Sequence, residues 1–156
     1  MADIVSQAKR SAIMRAVKGT WTRPEAAVAK LLTNLRYRPE THVSSLPGTP
    51  DFVFRRRRKL IFVHGCFWHR HSCKHTTTPK SRVDFWITKF EQNKSRDRRN
   101  IRTLRSNGWR VLIIWQCQLN STPLLQKRLL RFLRARSRVR LPRTAKALKL
   151  KRAAKL

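Results

Sequence analysis

Residues 61–75 constrain the fold of this chain more than any other segment. They hold four of the five histidines and two of the three cysteines of the sequence. The apolar residues 60–63, which lead into the segment, are typical of a buried strand. Metal ligands and bases are therefore expected where a core strand ends in a loop, and this is where an α/β sheet commonly carries its active site.

The cysteines and histidines predict a structural zinc site. The candidate ligands are Cys66, His71, Cys73 and Cys117. The last of them follows a second apolar strand pattern at residues 110–115, and if this strand lies beside the strand at 60–64, the ends of both strands meet. Three cysteines and one histidine then form the closed tetrahedral set that structural zinc prefers. On spacing alone, His69 is an alternative to His71, and His75 is a weaker one.

A hairpin that carries Asp51 predicts a hydrolytic metal site. Pro50-Asp51 opens a short strand, residues 55–58 form a charged turn, and residues 59–64 form the next strand. This layout resembles that of the PD-(D/E)-x-K nucleases, in which the aspartate and an acid on the next strand hold Mg²⁺ against the scissile phosphate. The competing interpretation of Asp51 is an ordinary turn residue after a proline.

The second strand of this hairpin departs from the nuclease pattern. It has Phe62-Val63-His64 where Glu-x-Lys is expected, so the acid and the lysine are absent. Mg²⁺ would then be held by Asp51, a backbone carbonyl and phosphate oxygens, which suits an ion that retains several waters. His64 or His69 would replace the lysine as the base that takes a proton from the attacking water.

Acidic residues are scarce, so each of them is informative. The sequence has 7 Asp and Glu against 38 Lys and Arg. Glu25 stands three residues after Thr22 and completes a capping box, and from the start of that helix it can also orient a histidine of the site. Asp97 falls on the apolar side of a long helix. There we favour an ion pair with an arginine over support of a histidine.

The formal net charge of +31 indicates a polyanionic partner. Nucleic acid is the first candidate and an anionic membrane surface the second. No apolar run approaches the ~18 residues that a membrane span requires. The first residues lack the pattern of a signal peptide, and an odd number of cysteines fits thiols or metal ligands better than disulfides. We therefore expect a cytoplasmic protein.

Phe67, Trp68 and Trp86 are candidate DNA contacts. If they are exposed on a basic face, such rings can wedge between base pairs and unstack them. Ordinary core packing is the competing interpretation. Because an extended loop cannot turn two adjacent rings inward, we expect Phe67 or Trp68 to be exposed. Trp109 and Trp115, on or beside a strand, are assigned to the core.

The apolar patterns predict an α/β fold with a small mixed sheet and helices on both faces. The predicted helices begin at Thr22, at Ser81 or Asp84, and at Thr122, and the predicted strands cover residues 37–43, 51–54, 59–64 and 110–115. The helix that begins near Ser81 is expected to end at Gly108.

Several motifs together resemble the very short patch repair (Vsr) DNA mismatch endonucleases. They are Leu46-Pro-Gly-x-Pro-Asp51, Ile61-Phe-Val-His-Gly-Cys-Phe-Trp-His-x-His-x-Cys73, Phe85-Trp86, Asn93-x-x-x-Asp97 and Gly108-Trp-Arg-Val-Leu-Ile-Ile-Trp-x-Cys117. The resemblance implies a restriction-endonuclease-like fold of the PD-(D/E)-x-K type. It also implies a Mg²⁺-dependent nick in one strand of double-stranded DNA, 5′ to the thymine of a T:G mismatch, such as the deamination of 5-methylcytosine produces.

The resemblance implies roles for individual residues. Asp51 and the Val63 carbonyl would bind Mg²⁺, and the catalytic histidine His69 would be supported by Glu25 and His64. The structural Zn²⁺ would be bound by Cys66, His71, Cys73 and Cys117. The DNA contacts would be Phe67, Trp68, Trp86 and Met14. The sequence departs from the family where Val63 replaces a threonine of some relatives and Gln116 replaces a common glutamate.

The composition and the resemblance together predict a domain organisation and partners, and the basic tail matches no part of the family. Residues 1–20 would be an N-terminal DNA-contacting arm, residues 21–135 the endonuclease domain, and residues 136–156 a basic tail. We expect a monomer associated with the bacterial nucleoid, with mismatch-repair proteins as candidate partners. The competing functions are a zinc-stabilised DNA-binding module without catalysis, and a nuclease of the same fold with a different DNA specificity.

Overall fold

The computed structural model of the chain describes residues 21–135. The predicted N-terminal arm, with Met14, and the predicted basic tail lie outside the described residues. The helices are α1 (Arg23–Asn34), α2 (Cys66–His69), α3 (Val83–Ser106) and α4 (Thr122–Arg134), and the strands are β1 (Glu40–Thr41), β2 (Phe52–Phe54), β3 (Lys59–His64) and β4 (Arg110–Trp115). Short 3₁₀ helices cover Arg55–Arg57 and Gln116–Asn120.

The four strands form one mixed sheet in the order β1-β2-β3-β4. β2 is antiparallel to both β1 and β3. β3 and β4 are parallel, in a register that places Lys59 opposite Arg110 and His64 opposite Trp115. The prediction that these two strands are neighbours is therefore confirmed. Every residue of β3 is buried, as expected of a central strand that is covered on both faces.

Helices cover both faces of the sheet, as the sequence predicts. Alternate side chains of β3 point to opposite faces, so this strand contributes to two cores. The core between the sheet and the helices α1 and α4 includes Val28, Leu32, Ile61, Val63, Leu129 and Leu133. The core between the sheet and α3 includes Val53, Leu60, Phe62, Leu104 and Trp109. Within residues 21–135, no helix is long and apolar enough to cross a membrane.

Three local predictions differ from the structure. Residues 66–69, predicted as an extended loop, form the helical turn α2, which ends at Arg70 in the left-handed region (φ 54°). Neither Ser81 nor Asp84 caps α3, because the helix follows Arg82, which is also left-handed (φ 54°). The predicted edge strand is reduced to the two residues of β1. Gly108 follows the end of α3 with φ 80°, as predicted.

The arginine turn between β2 and β3 contributes to the fold. The Arg55 Nε donates to Glu40 Oε1 at 2.7 Å. The Arg58 guanidinium lies 4.5 Å from the ring centroid of Trp109. The buried Lys59 that follows donates to the Leu133 carbonyl at 2.8 Å and so binds the end of α4 to the sheet. These side chains are therefore partly engaged in packing.

Gly48 closes the loop that precedes Asp51. Its φ of +76° lies in the left-handed region, and a Cβ at this position would lie 2.8 Å from the Nδ2 atom of Asn100 in α3. The loop is held internally by the Thr49 amide, which donates to the Leu46 carbonyl at 3.0 Å. Only glycine meets both demands without strain, so Gly48 allows the loop to approach α3 and fixes the start of β2.

We predict that Gly48→Ala lowers the free energy of unfolding by about 1–2 kcal/mol, because the substitution adds backbone strain and a clash with Asn100. Adding Asn100→Ala should recover only the clash, since the strain in φ remains. Chemical denaturation of the two single variants and the double variant measures both contributions. A Gly48→Ala protein as stable as the wild type would contradict this account.

Candidate active site and metal centre

Asp51 lies at the end of the loop, immediately before β2, and its side chain faces β3. Its Oδ2 atom accepts the Val63 amide hydrogen at 2.7 Å. Burial raises the pKa of Asp51 to about 6; the hydrogen bond from Val63 opposes this shift, the charge of Glu25 adds to it, and His42 opposes it. The carboxylate is therefore ionised at neutral pH but is held in an unfavourable environment, which a bound cation would relieve.

The backbone of Val63 adds a second oxygen beside Asp51. In an antiparallel ladder, the amide and the carbonyl of one residue point to the same side of the strand. Because the Val63 amide points to Asp51, its carbonyl is directed to the same side. A carboxylate and a carbonyl are the oxygen ligands that Mg²⁺ accepts alongside waters. The two groups predicted to bind Mg²⁺ thus lie together, and this backbone ligand is independent of the Val63 side chain.

His64 and His69 form a stacked pair at the end of β3. Their ring centroids are 3.8 Å apart and their planes differ by 10°. Burial first, and the neighbouring His69 second, lower the pKa of His64 to about 3, so its imidazole is neutral at pH 7. The helical turn α2 brings His69 back over the end of β3, so that its ring stacks on the ring of His64.

Asp97 of α3 fixes the orientation of His69. The Nδ1 atom of His69 is hydrogen-bonded to Asp97 Oδ2, while Arg96 Nη2 lies 3.6 Å from the other carboxylate oxygen. Burial acts to raise the pKa of Asp97, but the His69 hydrogen bond and the charges of His69, His64 and Arg96 outweigh it and hold the pKa below its ordinary value. The preference for an arginine partner is therefore corrected, because the histidine is the closer partner.

The tautomer of His69 follows from this contact. An ionised carboxylate can only accept, so Nδ1 carries the proton that is donated to Asp97. In the neutral imidazole, Nε2 is then the acceptor, which is the form that a general base requires.

Glu25 forms the predicted capping box and also orients a histidine. The Thr22 hydroxyl donates to Glu25 Oε1 at 2.7 Å, and the Thr22 amide donates to Oε2 at 3.2 Å. The same Oε2 atom lies 3.0 Å from the Nε2 atom of His42. Sequence reasoning missed His42, the one histidine outside residues 61–75. No sequence pattern marks this residue. It comes close to Asp51 because β1 pairs with β2, and just beyond that pairing the His42 amide donates to the Asp51 carbonyl at 3.2 Å.

The predicted zinc ligands converge. One atom from each of Cys66, His71, Cys73 and Cys117 lies within 4.8 Å of all the others. The His71 Nδ1 atom is 3.5 Å from Cys117 Sγ and 4.0 Å from Cys66 Sγ. This group includes His71 and neither His69 nor His75, so the geometry favours His71 among the three histidines that spacing left open. Three thiols and one imidazole are the donor set that suits zinc best.

The local chemistry prepares these thiols for metal binding. The hydrogen bond from His71 lowers the pKa of the Cys73 thiol to about 6, which favours the thiolate that a metal requires. Burial raises the pKa of the Cys66 thiol, so this ligand would be deprotonated by the metal itself. None of the three cysteines is in a disulfide.

Trp115 separates the metal centre from the histidine pair. Its ring is stacked on His71, with centroids 4.4 Å apart and planes 21° apart. The same ring makes an edge contact with His64, with centroids 5.4 Å apart. The assignment of Trp115 to the core is thus incomplete, because the residue is half-buried between two sites. Trp109 is buried in the core, as predicted.

The three aromatic residues predicted to contact DNA form one cluster. Phe67 lies 5.2 Å from Trp68 and 5.5 Å from Trp86 between ring centroids. On the helical turn α2, both Phe67 and Trp68 are half-buried, so the argument that one of them must be exposed is corrected. Trp86 is only 7% exposed. Its neighbour Phe85 is 49% exposed, and the cluster therefore reaches the surface through Phe85 and the edge of α2.

The residues predicted to carry out hydrolysis all line one cleft. The cleft is bounded by Glu25, His42, Asp51, Val63, His64, Trp68, His69 and Asp97, and by the polar and basic residues Lys89, Asn93 and Arg96 of α3. A carboxylate, a backbone carbonyl and an oriented neutral imidazole thus face the same space. Basic side chains at its wall favour an anionic substrate. This is the arrangement expected of an enzyme that hydrolyses phosphodiesters.

Comparison with known proteins agrees with this assignment. Residues 2–75 match the family model of the DNA mismatch endonuclease Vsr. The chain is 47% identical over 129 residues to the type II nicking enzyme V.XorIIP of Xanthomonas oryzae pv. oryzae, covering 83% of this chain and 95% of the relative. It is 46% identical over 119 residues to the DNA mismatch endonuclease Vsr of Escherichia coli, covering 76% of each.

A third relative is also named a type II nicking enzyme. The chain is 36% identical over 134 residues to the type II nicking enzyme V.NmeAIP of Neisseria meningitidis serogroup A, covering 86% of this chain and 96% of the relative. The chain therefore belongs to the Vsr family of DNA mismatch endonucleases, as its motifs predict. The named relatives are endonucleases and nicking enzymes.

We predict that Asp51→Asn stabilises the protein in the absence of DNA and Mg²⁺. The amide still accepts the Val63 hydrogen bond but carries no buried charge, so the free energy of unfolding at pH 8 should rise by about 1–2 kcal/mol. The raised pKa of about 6 gives the sign: the gain is complete above pH 6, shrinks as the pH falls from 6 to 4, and disappears below the ordinary pKa of 3.8, where the wild-type carboxyl is protonated in both states.

Denaturant titrations from pH 4 to pH 8 measure this effect. Glu91→Gln is the matched control, because it removes the same charge from an exposed side chain. A less stable Asp51→Asn protein at pH 8 would show that the ionised carboxylate is favourable where it lies.

Proposed function

We propose that this protein is a Mg²⁺-dependent endonuclease that nicks one strand of double-stranded DNA on the 5′ side of the thymine in a T:G mismatch. The observation that carries the proposal is the convergence of Asp51, the Val63 backbone and the Asp97-oriented His69 in one cleft. The motifs of this site are those of the Vsr family, and the E. coli relative is a DNA mismatch endonuclease by name.

The charge of the chain supports DNA as the substrate. A net charge of +31 makes binding to a polyanion favourable over much of the surface. The cleft itself combines the basic Lys89 and Arg96 with the acidic Asp51 and Asp97. Basic groups at the wall would hold the phosphate backbone, while the acidic groups would bind the cation and orient the base.

Asp51 and the Val63 carbonyl would hold Mg²⁺, and the scissile phosphate and waters would complete its coordination. The residues fit this ion, because both protein ligands are oxygens and a second protein carboxylate is not required. When bound, Mg²⁺ stabilises the negative charge of the phosphorane and lowers the pKa of a bound water. The Val63 hydrogen bond keeps Oδ2 of Asp51 in place, and Oδ1 is directed toward the cleft.

His69 would act as the general base. Its Nδ1 donates to Asp97, so Nε2 is available to take the proton of the attacking water. Asp97 would then stabilise the imidazolium that forms. The stacked and neutral His64 supports the ring from one face and adds no positive charge of its own. Histidine thus takes the role that lysine has in the PD-(D/E)-x-K pattern.

Zn²⁺ at Cys66, His71, Cys73 and Cys117 would be structural. Four protein ligands close a tetrahedral site and leave no position for substrate. The ion would bind the segment after β3 to the end of β4 and so hold α2, which carries His69. The fold assignment to the restriction-endonuclease type belongs to the same proposal, since a mixed four-stranded sheet with helices on both faces is compatible with it.

The aromatic cluster would open the duplex at the mismatch. Phe67 and Trp68 lie in the middle of α2, and Trp68 lines the cleft. Phe67 contacts Trp86, whose ring contacts the exposed Phe85. For Trp86 to enter the base stack, the cluster would have to open, because this ring is buried in the structure. Insertion of an aromatic wedge partly unstacks neighbouring base pairs and kinks the duplex, and it costs least where a mismatch already weakens the stack.

A second candidate is strand nicking with another DNA specificity. The relatives named type II nicking enzymes favour it, since two of them are 47% and 36% identical to this chain. The chemistry at Asp51 and His69 would be unchanged, and only the DNA context would differ.

A strand-resolved cleavage assay in Mg²⁺ tests the proposed function. We expect nicking beside the thymine of a T:G duplex and no cutting of a matched duplex or of a duplex with a different mismatch. Nicking in other contexts would move the assignment to the second candidate. Tight binding of all three duplexes without cutting would identify a zinc-stabilised DNA-binding module and overturn the enzymatic assignment.

The role of His69 is tested by substitution. We expect His69→Gln to lower the single-turnover rate by about 10²–10⁴-fold, because the general base is lost. His75→Gln is the matched control, since this histidine is exposed and lies outside the cleft. DNA binding should be the same in both variants. Equal rates for the two would show that His69 is not the base.

The zinc assignment predicts a difference between two neighbouring histidines. His71→Asn should lower the zinc content well below one ion per chain and lower the melting temperature, because a ligand of a closed site is lost. His75→Asn should change neither quantity. Elemental analysis and thermal unfolding of the purified proteins measure both. Stoichiometric zinc in the His71→Asn protein would contradict the ligand set.

A further inference from the structure

We propose that His42 is a positioning residue of the divalent-cation site: its imidazole lies between the carboxylates of Glu25 and Asp51 and holds them in the arrangement in which Asp51 binds the ion. This inference rests on the proposed function, in that Asp51 is taken as the cation ligand. It concerns a residue that belongs to neither the histidine-rich segment nor the zinc set.

The contacts of the His42 ring define the role. Its Nε2 atom is 3.0 Å from Glu25 Oε2 and 3.9 Å from Asp51 Oδ1. A carboxylate can only accept a hydrogen bond, so Nε2 carries a proton directed at Glu25. The side chain of His42 is 15% exposed, and that of Glu25 is 6% exposed. The contact is therefore largely shielded from water, which makes it stronger and more directional than a surface pair.

Glu25 is itself immobile, so it can anchor His42. Both of its oxygens are occupied by the hydroxyl and the amide of Thr22 at the start of α1. The third hydrogen bond, from His42, completes the set. A carboxylate held in this way is a poor candidate for direct coordination of a cation. Its better-supported role is to fix the imidazole that faces Asp51.

The backbone of His42 is held in a conformation that its side chain explains. Its φ is +48°, in the left-handed region that non-glycine residues rarely adopt. Residues persist in such conformations where the surroundings require it, commonly at functional sites. The His42 amide donates to the Asp51 carbonyl at 3.2 Å. His42 and Asp51 are thus the two ends of one closed loop, and the strained residue aims its ring at the partner across the loop.

The His42 imidazole offsets the repulsion between the carboxylates of Glu25 and Asp51. Glu25, His42 and Asp51 each offer a ligand atom within 4.8 Å of the others, so the two carboxylates are close neighbours in a half-buried space. Without a donor between them, their mutual repulsion would drive the side chains apart or leave one protonated. Either outcome would weaken cation binding. The edge of the Trp21 ring, 5.1 Å from the His42 ring, limits the movement of the imidazole on the outer side.

The experiment is a titration of Mn²⁺, a paramagnetic substitute for Mg²⁺, followed by electron paramagnetic resonance on the full chain without DNA. Four proteins are compared: the wild type, His42→Leu, His42→Gln and the control His75→Gln. We expect His42→Leu to weaken Mn²⁺ binding about tenfold or more, as is usual when the partner of a metal ligand is lost. His42→Gln, which keeps an N–H donor, should retain most of the affinity, and His75→Gln all of it.

A parallel measurement separates positioning from catalysis. In single-turnover nicking, His42→Leu should raise the Mg²⁺ concentration at half-maximal rate by the same factor, while saturating Mg²⁺ restores most of the rate. A general loss of structure in His42→Leu would not be reversed by excess Mg²⁺. It would also not explain why His42→Gln keeps its affinity for the cation. If His42→Leu does not fold, His42→Asn replaces it, because its shorter amide cannot reach Glu25.

Three results would overturn the proposal. The first is the same Mn²⁺ affinity in all four proteins, and the second is no Mn²⁺ binding in the wild type. The third is a loss in His42→Leu that His42→Gln shares fully, because it would show that the donated hydrogen bond is irrelevant. If the wild type does not nick DNA but the Mn²⁺ affinities follow the expected order, the nuclease function fails and the positioning role of His42 stands.

Discussion

The parallel pairing of β3 with β4 is the interaction on which both sites depend. Its register sets His64 opposite Trp115, so the chain leaves both strands at the same edge of the sheet. The segment after β3 carries three of the candidate zinc ligands, and the segment after β4 carries the fourth. A register shift of one residue would exchange the faces of all the side chains in one strand. In the observed register, Ile61 and Val63 pack in one core and Leu60 and Phe62 in the other. The packing of the two cores therefore helps to position the residues at the ends of both strands.

The distribution of acids is the second organising constraint. In a chain with 38 basic and 7 acidic residues, an unpaired carboxylate would be expected to attract an arginine. In the described structure, two of the acids in the cleft have a histidine as their nearest basic partner. Glu25 contacts His42, and Asp97 contacts His69 more closely than Arg96. Both pairs flank Asp51, whose burial leaves it in need of a cation. Imidazole suits this place because it orients a carboxylate without a permanent charge that would compete with the metal.

Much of this arrangement could be predicted from the sequence, and the reasons for the misses are physical. The apolar runs at 60–63 and 110–115 predicted adjacent strands, and the cysteines after them predicted a shared metal. His42 was missed because its role depends on pairing across a loop and on a left-handed backbone that its residue type does not signal. The helical turn α2 was missed because four residues carry no measurable periodicity. An arginine was expected as the partner of Asp97 because arginines are abundant in the sequence. Composition carries no information on the distances between side chains.

The single ring of Trp115 between the metal centre and the histidine pair has a consequence for oxidative conditions. Thiolates of a zinc site are the groups in such a protein that peroxides attack most readily. Loss of one ligand would free His71, and with it the surface on which Trp115 is stacked. The same ring contacts His64. Loss of the zinc ion would therefore disturb the histidine pair through the Trp115 side chain. The chain has five tryptophans, so in a variant that retains only Trp115 the indole fluorescence would report on the candidate metal centre and on the histidine pair together.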